Sequence, residues 1–319
     1  KSQWYPIIKN TNDSYRMKIR ALIDTILYKL KSKKNARSFR KRAERIRKEI
    51  LNYYSQNLCG EKDIENAVEY LKTHPLTILP GNFAQKYNYQ DIEVFTDESN
   101  GLRYVFHKNK RLYFKRSYNI RTIQYLYSGL LAEQDKESPH CYTDEAFRIQ
   151  TNDILFDIGS AEGIFPLSHI EEIKKAVLFE RDPEWTEALE ATFRPWKEKV
   201  EIISRYVSDE DNAENIKIDS FISRYSYTPH FIKIDVEGAE LKVLKGMEYT
   251  IKSLHPRIAV CTYHKPDDFR ELSNHLTASG YTITPSQGVM IFFKAQEDIR
   301  APYFRKGLIR AFKKQILPS

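Results

Sequence analysis

The segment Asp157-Ile-Gly-Ser-Ala-Glu-Gly follows the apolar run Ile154-Leu-Phe, so a strand ends in a carboxylate and passes into a loop of small residues. Gly159, Ala161 and Gly163 let the backbone approach a ligand closely, and the helix expected next offers unpaired N–H groups. The spacing is not the GxGxxG of a dinucleotide site, and no Gly-Lys-Ser/Thr follows to make a P-loop. About twenty residues past the loop, Val177-Leu-Phe ends in Glu180, where a carboxylate can accept both hydroxyl protons of a ribose. A further strand end, Phe231-Ile-Lys-Ile-Asp-Val-Glu-Gly-Ala-Glu, gathers Asp235, Glu237 and Glu240. Crowded carboxylates need a positive group among them, such as a sulfonium or an ammonium, although a helix N-terminus accounts for one of them. After the next apolar run comes Cys261-Thr-Tyr-His-Lys. His264, with a reference pKa of about 6.5, suits a general base for a hydroxyl, with Glu237 as its rival and Asp235 beside them. A loop histidine with a structural hydrogen bond is the plainer alternative. Tyr263 and Lys265, flanking it, suit acceptor hydroxyls or an anionic group, or else are ordinary loop surface.

Asp157-Ile-Gly-Ser-Ala-Glu-Gly, Glu180 and Ile234-Asp-Val-Glu-Gly-Ala-Glu together resemble the FkbM family of S-adenosylmethionine-dependent methyltransferases, over about residues 150–295. The glycine loop is common to most methyltransferases, whereas the Asp-Val-Glu-Gly-Ala-Glu segment is rather specific to this family. Ala161-Glu162 stands where the family more usually has Ala-Asn. The resemblance implies S-adenosyl-L-methionine as cofactor, a Rossmann-like sheet with a reversed seventh strand, and methyl transfer to a hydroxyl, often on sugars or natural products. It also implies a donor site. Asp157 and Gly159 line the methionine end, and Ser160, Ala161 and Gly163 complete the cofactor loop. Glu180 holds the ribose with Arg181 or Asp182 near the adenine edge, Ser208 and Asp209 flank the adenine, and Asp235 lies near the methyl and amino groups.

The elements that must position these residues follow from periodicity. Ile154–Asp157, Ala176–Glu180, Val200–Ile203, Phe231–Asp235 and Ile258–Thr262 read as buried strands, with helices at about 163–175, 184–197, 212–224 and 239–253 between them. That alternation predicts an α/β, doubly wound sheet with helices on both faces. A helix to Ser279, a strand at Tyr281–Thr284 and another at Val289–Phe293, joined at Gln287-Gly288, complete a mixed sheet of seven strands whose last is antiparallel. Upstream, a hairpin around Lys108-Asn-Lys and a helix from Ile120 to Gln134 are expected, and before them helices at 14–30, 36–54 and 61–73. The expected organisation is a helical basic N-terminal domain (1–75), a connector or cap with hairpin and helix (76–150), and a Rossmann-like domain (151–319).

Composition bounds the rest. The chain has 319 residues, 41% hydrophobic, with no apolar run long enough to span a bilayer. Three scattered cysteines form no CxxC pair, and Lys1–Asn10 has no signal-peptide core, so a cytoplasmic setting is expected. The net charge of +8 divides unevenly, because residues 1–60 hold 16 Lys/Arg against 4 Asp/Glu. The arm is therefore basic and the body mildly acidic. An acidic body repels a phosphate backbone, and the Asn/Asp-Pro-Pro-Tyr/Phe of base methylation is absent, so nucleic acid is not expected as a partner. The arm is read as a solvated helical face, as a peripheral contact with the inner face of an anionic membrane, or as packing on the body or a second subunit. The expected activity is O-methylation of a small-molecule or glycan acceptor. The alternatives are a non-catalytic cofactor-binding module and a glycosyltransferase using Asp209-Glu210-Asp211 as a DxD. Asp235, Glu237 and His264 are ligands a divalent cation could use, but nothing in the sequence fixes that geometry and no metal is assigned.

Overall fold

The computed structural model describes residues 37–57, 59–293 and 299–313. The helix expected over residues 14–30 and the start of the basic stretch lie outside them. Helix α1 covers 37–56 and α2 covers Lys62–Thr73. Each buries one stripe at helical spacing: Ile46, Ile50 and Tyr54 from α1, and Ile64, Ala67 and Leu71 from α2. A short strand β1 (Phe95–Thr96) precedes the hairpin of β2 (Arg103–His107) and β3 (Lys110–Tyr113). Lys108 and Asn109 both take positive φ, giving the turn whose twist matches paired strands. Helix α3 (Ile120–Glu133) is capped by Asn119, whose side chain accepts the Thr122 N–H.

Strands and helices then alternate. They are β4 (Ile154–Ile158), α4 (Ile164–Ser168), β5 (Lys175–Phe179), α5 (Pro183–Phe193), β6 (Val200–Ile203), the small pair β7 (Tyr206–Val207) and β8 (Asn215–Ile216), α6 (Ile218–Tyr225), β9 (Phe231–Ile234), α7 (Glu240–Lys245), β10 (Arg257–Cys261), α8 (Asp268–Ala278), β11 (Thr282–Pro285) and β12 (Leu308–Phe312). Seven strands form one mixed sheet in the order β6-β5-β4-β9-β10-β12-β11, with β12 antiparallel to both neighbours. Leu155, Phe231 and Ala259 pack toward α3, α4 and α5, while Phe156, Ile232 and Ile258 pack toward α6, α7 and α8. Both faces are covered, which is why these strands read as continuous apolar runs. The order of connection reverses between β4 and β9, and the crevice at the carboxyl ends of such strands is where open α/β sheets bind ligands.

Several expected elements shift. The reversed strand is Leu308–Phe312, not Val289–Phe293. Val289 and Ile291 are apolar because they bury against α1 and α2, and the Gly288 N–H donates to Asp63 instead of closing a hairpin. The described residues between β11 and β12, 286–293 and 299–307, thus form an excursion past the end of β10, stitched by the Met290–Arg305 bridge. The helix expected to reach residue 175 stops at Ser168, because the chain then turns to bury Ile170 and Ile173 and bonds back to Asn152 and Asp153 at the start of β4. The one expected at 212–224 begins at Ile218, since Asn215–Ile216 pairs with β7. The one expected at 239–253 breaks at Gly246, where a Cβ would lie 2.0 Å from the Ser208 carbonyl oxygen.

Candidate active site

The glycine loop is anchored on both sides. Gly159 has φ +76°, and a Cβ there would meet the Asp235 carbonyl oxygen at 2.0 Å, so only glycine lets the two loops touch. The Gly159 and Ser160 N–H groups both donate to the Phe179 carbonyl, and Ser160 Oγ donates to the Asp157 carbonyl. Gly163, also at positive φ, starts α4 against Leu189 and Phe193. Glu180 closes the far side: Oε2 accepts the Ala161 N–H at 2.9 Å and Oε1 the Asp182 N–H at 2.8 Å. With one N–H on each oxygen, the carboxylate keeps lone pairs for two further donors, which is what a ribose diol offers. Arg181 lies 4.0 Å from Glu214, and Asp182 caps α5 and pairs with Lys115 at 2.5 Å. Ser208 and Asp209 bond to each other, and among the described hydrogen bonds none joins them to Glu180 or the glycine loop. Glu162, inside the loop, turns inward, and burial pushes its carboxyl up to about 8, so it is largely protonated at neutral pH.

Beneath the loop lies a charge pair that the sequence reading missed. Asp157 and Lys233 are register partners on β4 and β9, and Lys233 Nζ stands 3.0 Å from Asp157 Oδ1 with both side chains buried. The ammonium also donates to the Gly159 carbonyl at 2.5 Å and sits 5.4 Å from the Tyr142 ring centre. Burial raises the Asp157 carboxyl, and Lys233 opposes that shift only in part. Burial alone would lower Lys233, but Asp157 and Asp235 outweigh it and keep the ammonium charged.

Asp235, just past β9, is the centre of the site. Tyr142 donates its hydroxyl to Oδ2 at 2.9 Å, His140 Nε2 lies 3.5 Å from the same oxygen, and Tyr263 donates its hydroxyl to Oδ1 at 3.5 Å. Burial would raise this carboxyl, but His140, Lys233 and His264 together hold it well below the usual range. His264 is buried, with Nε2 3.6 Å from Asp235 Oδ1 and 3.9 Å from Glu237 Oε2. Its Nδ1 stands 2.8 Å from Oε1 of the buried Glu240, though not along the line of a well-aligned hydrogen bond. Burial disfavours the imidazolium, yet Glu240, Asp235 and Glu237 outweigh it and hold the His264 pKa above its ordinary value. Glu240 therefore does more than favour a helix N-terminus, since it helps hold the His264 pKa up. Glu237 is 71% exposed and faces solvent. Lys265 is taken up by the Gly238 carbonyl.

His140 and Tyr142 come from the connector, and nothing in their local sequence marks them. Arg310 of β12 places them: it donates to the Cys141 and Tyr142 carbonyls and pairs with Asp144 at 2.6 Å. Arg310→Met is expected to cost about 2–3 kcal/mol and to speed amide exchange over 139–144, read by urea unfolding and hydrogen exchange.

Among the described residues, two groups bring metal-binding atoms within 4.8 Å: Asp235, Glu240 and His264, and His140, Asp235 and Cys261. In the first, Glu240 Oε1 already accepts the Val236 and Gly238 N–H groups; in the second, His140 Nε2 faces the Tyr263 hydroxyl. Both are engaged as polar clusters. The DxD triplet is a turn: Asp211 accepts the Lys217 N–H and the Ser220 hydroxyl, and Glu210 accepts from the Asn215 amide.

Residues 166–283 match the family model described as the Methyltransferase FkbM domain. No curated protein matches the sequence. Among solved structures, the FkbM methyltransferase of Methylobacillus flagellatus KT is 18% identical, covering 60% of this chain and 54% of its own, with a TM-score of 0.42. The match thus spans about half of that protein's length. The precorrin-6y C5,15-methyltransferase of Geobacter metallireducens GS-15 is 15% identical, covering 52% of this chain and 83% of its own, at 0.37. Streptococcus pneumoniae Sp1610, solved in complex with S-adenosyl-L-methionine, is 18% identical, covering 53% and 71%, at 0.34. The similarity to the Methyltransferase FkbM domain thus falls on residues 166–283, the stretch from α4 to β11.

Proposed function

We propose that the chain is an S-adenosylmethionine-dependent O-methyltransferase whose acceptor is a hydroxyl of a saccharide or glycan precursor. The donor set suits the cofactor. Glu180 keeps acceptor capacity for the ribose hydroxyls, the loop from Asp157 to Gly163 lines the methionine end, and Asp235 remains ionised where a sulfonium needs a counter-charge. Arg181, Ser208 and Asp209 are assigned to the adenine side. S-adenosyl-L-methionine supplies a methyl group activated on a sulfonium sulfur. The protein's own part is to take the acceptor's proton: Glu240 helps hold the His264 pKa up, and the neutral ring accepts the hydroxyl proton at Nε2. Glu237, with its exposed carboxylate, and Tyr263 and Lys265 border the acceptor's approach.

The observation that carries this reading is the cluster at the carboxyl ends of β9 and β10, where buried His264 stands 2.8 Å from buried Glu240 and 3.6 Å from Asp235. Its test is transfer of labelled methyl from the donor to a panel of saccharides, read as a single added methyl on oxygen. Product on nitrogen or carbon acceptors alone would refute it. For the arm, we propose peripheral contact with an anionic membrane at its cytoplasmic side. Arg37, Arg40, Lys41, Arg45 and Lys48 are exposed on α1, and no helix among the described residues is long and apolar enough to cross a membrane. Salt-sensitive flotation with anionic but not neutral vesicles is the expected result.

A further inference from the structure

Between the end of α1 and the loop after β10 runs a groove of about 670 Å³. That is within the size range of small-ligand sites, which favour junctions between packed units. Tyr53, Asn57 and Glu61 line it from one side, Asp267 and Arg270 from the other, and Phe304 and Arg305 come from the excursion between β11 and β12. Two features give it a chemical character. Its charged groups are paired with one another, Asp267 with Arg270 at 3.0 Å and Glu61 with Lys306 at 3.8 Å, while Arg305 is turned to backbone carbonyls, so it presents acceptors and donors together as ion pairs. A sugar hydroxyl both donates and accepts, and is matched by such a mixture. Interleaved with these is the half-buried ring of Tyr53, packed edgewise on the buried Tyr54, which in turn meets Phe304, and it offers apolar surface for the C–H face of a ring.

The groove borders the loop that carries the reacting centre. Thr262, on its lining, immediately precedes Tyr263 and His264. The guanidinium of buried Arg305 donates to the carbonyl oxygens of Tyr263 at 2.6 Å and of His264 at 2.9 Å. A ligand settling beside Arg305 therefore bears on the backbone that holds the base.

We propose that this groove binds the non-reacting units of an oligosaccharide acceptor, while its terminal sugar presents the hydroxyl at His264. The proposal rests on the O-methylation reading above and names the length and class of its acceptor. Binding energy gathered from remote units is a general way to position a reacting group. The test compares methyl transfer to monosaccharides with transfer to tri- and tetrasaccharides of the same terminal sugar, for the wild type, Tyr53→Ala and Arg270→Ala. Arg270 is exposed, so its variant keeps the fold if the Tyr53 variant does not. Both are expected to raise KM for the longer acceptors by about tenfold or more, the size of one or two lost contacts, and to leave monosaccharide kinetics and affinity for S-adenosylhomocysteine unchanged. If Arg270→Ala leaves the oligosaccharide KM unaltered, or raises both KM values alike, the groove assignment is wrong while the O-methylation reading stands. If S-adenosylhomocysteine binds but no saccharide of any length is methylated, the acceptor reading fails and the groove proposal falls with it.

Discussion

Replacing Lys233 with methionine is expected to lower the unfolding free energy by about 3–5 kcal/mol, because it leaves the Asp157 carboxylate buried without its partner. The pair joins the two central strands of the sheet at matching register positions, so the loss falls on the elements that carry the glycine loop and Asp235. The pH dependence separates this from a simple packing loss. The Asp157 carboxyl already titrates above its ordinary value in the fold, and without Lys233 it rises further. A carboxyl with a raised folded pKa imposes no penalty below its unfolded value near 4, and the penalty grows as pH climbs toward the folded value. The deficit of Lys233→Met should therefore be largest at neutral pH and shrink on acidification in urea titrations. Asp157→Asn in the same background should recover most of it. A deficit that is flat with pH would mean that the pair is not what the methionine disturbs.

His264→Ala is expected to lower kcat by about 10²–10⁴, the usual worth of a positioned general base, with binding of S-adenosylhomocysteine unchanged. Glu240→Gln supplies the control that a merely structural histidine would not satisfy. Removing the carboxylate's charge lets the His264 pKa fall, so the acid limb of the kcat profile, where the ring becomes protonated and idle, should move to lower pH. An unmoved limb would place the proton acceptor elsewhere, with Glu237 the next candidate.

The residues that could be named in advance are those whose neighbours in space are also neighbours in sequence. The glycine loop and Glu180 sit one strand–helix unit apart, and their contact through the Ala161 N–H is what that spacing brings about. The central strands were legible because burial on both faces leaves no polar alternation to read. Lys233 was not legible as a partner of Asp157, because only the adjacency of β4 and β9 brings them together. His140 and Tyr142 reach Asp235 from a connector whose course is set by Arg310, about 170 residues downstream. The false last strand has a similar origin. Val289–Phe293 carries the same apolar signal whether it pairs in a sheet or packs under α1 and α2, and sequence pattern alone does not separate the two.

The account stands on Glu180 and the loop from Asp157 gripping an adenosyl donor. Isothermal calorimetry with S-adenosylhomocysteine tests it most directly. The prediction is one site per chain, weakened by about 10- to 100-fold in Glu180→Gln, which loses the charge behind the ribose hydrogen bonds but keeps an acceptor for the loop N–H. A folded protein that shows no binding, or equal affinity in the wild type and Glu180→Gln, would contradict it.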